Sequence, residues 1–163
     1  MRPVRNFAVL LTLVACSLSV PLRSNGQSAD LPDTTPVANI GAGSAVVVNV
    51  EVVLPANEGM VYFQNGSFTT WQQLNKSAPS CRLYSGPNPQ VRKLVPGRKL
   101  IVTGTLMNNG GTFLYGDILL FEDDDTVGQL QCTAGRKGQM TIGELKGALG
   151  GLFSLVQAAP IVG

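Results

Sequence analysis

The sequence contains no histidine. It therefore lacks the side chain that titrates near neutral pH and that most often binds metals. Nucleophilic chemistry that leans on an imidazole base is excluded. Other catalytic signatures are missing too: there is no G-x-S-x-G, no S-x-x-K, no Cys-x-x-Cys and no glycine-rich phosphate loop between a strand and a helix. Charged residues are only 13% of the chain, against about a quarter in ordinary soluble domains. Aromatic residues are 6%, with a single tryptophan, Trp71. These absences predict a non-catalytic protein with no cofactor and no metal.

Apolar residues make up 44% of the 163, enough to bury a core in one domain of ordinary size. Nineteen glycines and ten prolines imply many turns and short elements.

The N-terminus carries Arg2 and Arg5, followed by the uncharged run Phe7–Ala15. A basic stretch before 7–15 apolar residues is the pattern of a secretory signal, and such a run is too short to span a bilayer. It ends in Leu13-Val14-Ala15-Cys16, which resembles the lipobox of bacterial lipoproteins. The resemblance implies that residues 1–15 are a signal peptide, that Cys16 is linked to diacylglycerol, and that the lipid holds the chain in a membrane. Ser17 follows the cysteine where retention in the inner membrane uses Asp, which points to the outer membrane. An ordinary cleaved signal, with cutting after Gly26, is the other reading and leaves a soluble secreted or periplasmic protein. Removing Arg2 and Arg5 turns a net charge of +2 into neutrality, so the basic isoelectric point says nothing for nucleic-acid binding.

Either reading takes Cys16 out of the thiol pool. Cys81 and Cys132 remain, and in an oxidising compartment they are expected to pair as a disulfide.

Residues 16–44 read as the lipidated cysteine and a flexible tether: proline and glycine stand among polar residues with no period. A coil of that length reaches about 30 Å. From Ala45 the pattern turns to strands. Val46, Val48, Val50, Val52 and Leu54 alternate with more polar positions. Met60–Gln64 reads as a strand, Asn65-Gly66 as a tight hairpin turn, and residues 68–71 as its return. Further strands are expected at residues 81–84, 99–107, 112–122 and 126–133. Short strands separated by turns predict a mainly β antiparallel sandwich or small barrel. A single C-terminal α-helix is expected over about residues 141–157. It opens with the capping box Thr141-Ile142-Gly143-Glu144, and Leu145, Leu149 and Phe153 follow at helical spacing.

Three clusters are candidates for chemistry. Trp71 lies beside Gln72 and Gln73, with Gln64 across the expected hairpin; an aromatic face among amides suits a sugar. Arg92, Lys93, Arg98 and Lys99 flank the Pro96-Gly97 turn, with Arg82 as a possible neighbour, a set suited to anionic headgroups or an acidic partner. Glu122-Asp123-Asp124-Asp125 is an acidic turn without the calcium-loop pattern. Asp117 and Glu122, as a hydrolytic carboxylate pair, fall on opposite faces of one strand. The expected function is a cell-envelope lipoprotein with a β-rich interaction or assembly module, its partner another envelope protein. A glycan- or lipid-binding module is the alternative. Nucleic acid is not expected as a partner.

Overall fold

Alternation in the first strand decides which side of the sheet is the core. In β1 (Ala45–Val48), Val46 and Val48 are fully buried. The computed structural model describes residues 31–54, 59–86, 93–108, 116–122, 126–136 and 138–158. The other strands are β2 (Val52–Val53), β3 (Met60–Gln64), β4 (Ser67–Thr69), β5 (Ser80–Ser85), β6 (Lys93–Leu94), β7 (Lys99–Asn108), β8 (Gly116–Phe121), β9 (Val127–Thr133) and β10 (Phe153–Val156). One helix, α1 (Ile142–Leu149), precedes β10.

Eight strands form one antiparallel sheet in the order β10-β1-β7-β8-β9-β5-β3-β4, and β2 pairs with β6 in a separate ribbon. The sheet curls into a half-barrel. Helix α1 touches β3, β5 and β10, laying Ile142, Leu145, Ala148 and Leu149 onto the core. The mainly β expectation, with one helix late in the chain, is what the structure shows. Among the described residues no helix is long and apolar enough to cross a membrane.

The Asn65-Gly66 turn has both residues at positive φ, 51° and 71°, the conformation of a type I′ hairpin. Gly66 donates its N–H to Ala148 O at 3.0 Å. A Cβ on Gly150 would collide with Gly66 Cα. Two glycines thus let the β3–β4 turn meet the end of α1.

Two expectations are corrected. The helix does not run to residue 157. Gly150, at φ 53°, ends it, a short 3₁₀ turn follows, and residues 153–156 form β10 against β1. The tether does not extend to residue 44. Leu31 packs against the core, Val37 and Ile40 are buried, Pro36 bridges Thr141, and Val37 N–H donates to Met140 O. The Pro96-Gly97 turn leads from β6 in the ribbon to β7 in the sheet. The Val46–Leu54 alternation slips once, at Val50, which is exposed. There the chain leaves the sheet, Asn49 N–H bonding to Leu152 O, and enters the ribbon.

The capping box forms in both directions: Glu144 N–H donates to Thr141 Oγ1 and Thr141 N–H to Glu144 Oε2. Arg136 donates to Glu144 Oε1 at 2.6 Å. Burial pushes the Glu144 carboxyl up, but the Thr141 and Arg136 hydrogen bonds and the Arg136 charge outweigh it and hold the group below the usual range.

Asp117 is the opposite case. It faces inward from β8, is 1% exposed, and accepts Met140 N–H on Oδ2 at 2.8 Å. Its Oδ1 has no partner among the described residues. Burial pushes its carboxyl above the usual range, and the Met140 hydrogen bond only partly offsets this. A raised carboxyl stabilises the fold fully below its unfolded value of about 3.9 and loses that contribution as pH rises through the folded value. Asp117→Asn is expected to level this loss. As pH rises above about 4 the wild type is expected to lose stability relative to the variant, read by urea melts at each pH. A parallel decline in both proteins would refute it.

Candidate functional site

Strand register builds a polar face on the outside of the half-barrel. Val61 and Phe63 of β3 turn inward and are buried, so Met60 and Tyr62 turn out, half-buried. Cys81 and Leu83 of β5 likewise turn inward and leave Arg82 and Tyr84 outside. The register then aligns Tyr62 with Arg82 and Arg82 with Gln131 of β9, and places Met60 opposite Tyr84.

These side chains are joined. Arg82 donates to Gln131 Oε1 through Nε at 2.9 Å and through Nη2 at 2.5 Å. Tyr84 OH donates to the same oxygen at 3.3 Å. The Arg82 guanidinium stands 5.1 Å from the centre of the Tyr84 ring, within cation–π range. Burial pushes the Tyr84 phenol up, with the Arg82 charge opposing and Tyr62 adding to the rise. The phenol therefore keeps its proton at neutral pH and acts as a donor. Tyr62 OH lies 3.0 Å from Met60 Sδ.

Trp71 stands just beyond β4, in the turn that follows Thr70. Its ring centre is 6.1 Å from that of Tyr62, tilted by 42°, and Lys76 Nζ lies 4.4 Å from the Trp71 ring centre. Met60, Tyr62, Thr70, Trp71 and Gln72 line an open depression of about 340 Å³, within the size range of small-molecule sites. Tyr62 is also a wall of a second, much smaller hollow, with Leu74, Ser80, Arg82 and Gln131.

Of the residues singled out from the sequence, Trp71 and Gln72 line the depression and Arg82 adjoins it through Tyr62. Gln64 does not line it. Its buried amide clamps the loop, donating to Asn75 O and accepting Asn75 N–H, both at 2.9 Å. It holds in place the segment that carries Trp71 and so positions the site from behind. Arg82 is set apart from the cations around Pro96-Gly97. Arg82 lies on β5, with β8 and β9 between it and β7. Lys93 pairs with Glu51 at 3.1 Å, Arg98 is half-buried just before β7, and Lys99, its first residue, is exposed. Arg92, and the acidic residues Asp123 to Asp125, lie outside the described residues. Asp117 is inside the core while Glu122 is exposed beyond the end of β8, so they are not a carboxylate pair facing one site. Among the described residues no group of three potential ligands could hold a metal.

Sequence reading missed Tyr62, Tyr84 and Gln131. Alternation within β3 and β5 was a signal that Tyr62 and Tyr84 leave the core, but only the register between β3, β5 and β9 gathers them.

No family model matches the chain, and comparison with curated proteins and with solved structures finds no similar one.

Proposed function

We propose that the protein is a non-catalytic binding module of the cell envelope that seats a sugar on Trp71 and Tyr62. One observation carries this reading: the sole tryptophan and a tyrosine, with ring centres 6.1 Å apart, line the same open depression. Sugar rings present C–H faces that stack on aromatic rings and hydroxyls that need polar partners at the rim. Gln72 and Thr70, both exposed, supply those partners. The lipobox-like Leu13-Val14-Ala15-Cys16 supports a lipid anchor at Cys16, on the outer membrane, which would hold the module near envelope glycans. A soluble periplasmic or secreted form is the alternative. Mass spectrometry of the mature chain checks the anchor. Diacylglycerol on an N-terminal Cys16 is expected, and a mature chain starting at Gln27 would refute it.

The binding test uses the site's own reporter. Because Trp71 is the only tryptophan, its fluorescence reads the depression directly. Titration with envelope oligosaccharides is expected to shift it. Trp71→Ala, followed by calorimetry, should weaken binding roughly tenfold, the loss of about 1.4 kcal/mol of stacking. Equal binding by the variant would place the sugar elsewhere.

A second reading, an assembly module for another envelope protein, is favoured by the β2–β6 ribbon. Its outward face exposes Val53 and Val95, at 52% and 55%, beside the Lys93–Glu51 pair. Failure of every glycan to bind would leave this reading.

A further inference from the structure

The outer face of the β7–β8 pair is apolar. Leu119 and Phe121 of β8 turn into the core, so Ile118 and Leu120 turn outward, half-buried. The register sets Leu106 of β7 beside Ile118, and Gly104 beside Leu120. Gly104 adds no cover, since a Cβ built on it would meet nothing within 4 Å. Leu106 is 54% exposed, and Met107, the next residue toward the end of the strand, is 43% exposed. Apart from Lys99 at the opposite end of β7, the only charged residue in the two strands is Asp117, which is buried. Exposed aliphatic side chains scattered singly are ordinary, but these adjoin one another.

The chain enters the fold beside this surface. Asp33 O accepts Gly143 N–H at 2.8 Å, Pro36 bridges Thr141, and Ala38 O accepts the Thr105 hydroxyl at 2.9 Å. Thr105 directly precedes Leu106. Met140, next to the bridged Thr141, donates its N–H to Asp117, which stands opposite Met107 in the β7–β8 ladder. Residues 17–31 are fifteen in number. Fifteen residues reach at most about 50 Å in any conformation, and about 20 Å as a coil. A lipid on Cys16 would hold this end of the domain close to the headgroups, so that a second contact with the membrane becomes intramolecular. A patch too small to bind a membrane unaided then suffices. Its chemistry suits lipid better than protein. The two strands offer no arginine, tyrosine or tryptophan of the kind that anchors protein interfaces, and their outer face beyond Lys99 offers no charge to pair.

We infer that Leu106, Met107, Ile118 and Leu120 rest on the lipid surface that holds the anchor, and so set how the module stands on the membrane. This inference rests on the reading of Cys16 as lipidated, and the experiment separates the two. The Trp71 depression is built on β3 and the turn after β4, with β9 and β5 between it and β8, so a glycan keeps its access. The test places the full acylated chain on nanodiscs of phosphatidylethanolamine and phosphatidylglycerol, with a nitroxide on part of the headgroups. The methyl resonances of Leu106, Met107 and Ile118 are expected to broaden. Those of Val53 and Val95, exposed on the ribbon that leads into the opposite end of β7, should stay sharp. Because the contact is apolar, the broadening should persist in about 1 M salt, where charges are screened beyond ~3 Å. Leu106→Asp alters an exposed position, so it should leave the melt in place and lower the ratio of docked to free domain about tenfold.

Sharp Leu106 and Met107 methyls on an acylated chain overturn the docking and leave the anchor standing. Broadening that salt abolishes, or that Leu106→Asp leaves intact, puts another surface on the lipid and also overturns it. Leu106 shifts that follow protein concentration and ignore lipid give the patch to a second copy of the chain, with the same consequence. A mature chain that carries no diacylglycerol by mass spectrometry refutes the anchor, and the docking with it.

Discussion

Replacing either Cys81 or Cys132 by Ser is expected to destabilise the protein by about 2–5 kcal/mol. The two residues are bonded to each other across a sequence separation of 51. In the chain-entropy account a closed loop of that length is worth roughly 4 kcal/mol, a large part of the 5–15 kcal/mol by which an ordinary domain is stable. The loop contains β6, β7 and β8, so the bond joins the ends of a segment that supplies the middle of the sheet. Cys81 and Cys132 face each other directly in the β5–β9 ladder and are 3% and 1% exposed. Each substitution therefore also puts a hydroxyl and a lone thiol into the core. Both variants break the same bond at the same depth and should lose similar amounts. Urea melts of the two variants, and of the wild type with and without reductant, read this directly. A midpoint shared by all of them would show that the bond contributes nothing. A large loss in only one variant would show that side-chain packing, not the link, is what matters.

The pairing of these cysteines was legible because only two remain once Cys16 is set aside. The strand pattern was legible because one face of the sheet is buried: Val46 and Val48, Val61 and Phe63, Cys81 and Leu83 flank the half-buried Val47, Tyr62 and Arg82, and Leu130 and Cys132 face the core on either side of Gln131. Asn65-Gly66 and the Thr141–Glu144 capping box are local signals, complete within four residues, and both formed as read. Misreadings arose where a local pattern had two meanings. Leu149 and Phe153 are four residues apart, which suits a helix, but Gly150 takes a positive φ and the chain passes into β10. Val37 and Ile40 stand among prolines, glycines and polar residues, so no period marks them. They are buried because the backbone at Pro36 and Val37 bonds to Thr141 and Met140, more than a hundred positions away. The candidate site divides in the same way. Trp71 announces itself by composition, whereas Arg82, Tyr84 and Gln131 meet only through the pairing of β5 with β9.

Phe153→Ala is expected to cost about 3–5 kcal/mol, the usual loss when a buried aromatic is truncated and a cavity remains. Phe153 is 4% exposed and lies on β10, the edge strand of the sheet order. Its ring meets that of Phe63, on β3 toward the other end of the order, edge to face with centres 5.2 Å apart. Phe63 is fully buried and also touches Phe68, at 5.4 Å. The sheet is open, so this aromatic contact together with α1 and the Gly66–Gly150 approach draws its two ends toward each other. Losing the Phe153 ring removes burial and also an aromatic pair worth about 0.5–1.5 kcal/mol beyond its area. The damage should therefore reach β3 as well as β10. Hydrogen exchange is expected to speed up in both strands, while the center of the sheet, β7 to β9, stays protected. Lys146 on α1 is the control. Its ammonium pairs with Asp33 at 2.9 Å on an exposed surface, an arrangement worth about 0–1 kcal/mol, so Lys146→Ala should barely move the melt. A Phe153→Ala protein that melts like the wild type would mean that the end of the chain does not help close the half-barrel. The segment around α1 and β10 would then be available for a partner, and the assembly reading of this protein would gain over the sugar-binding one.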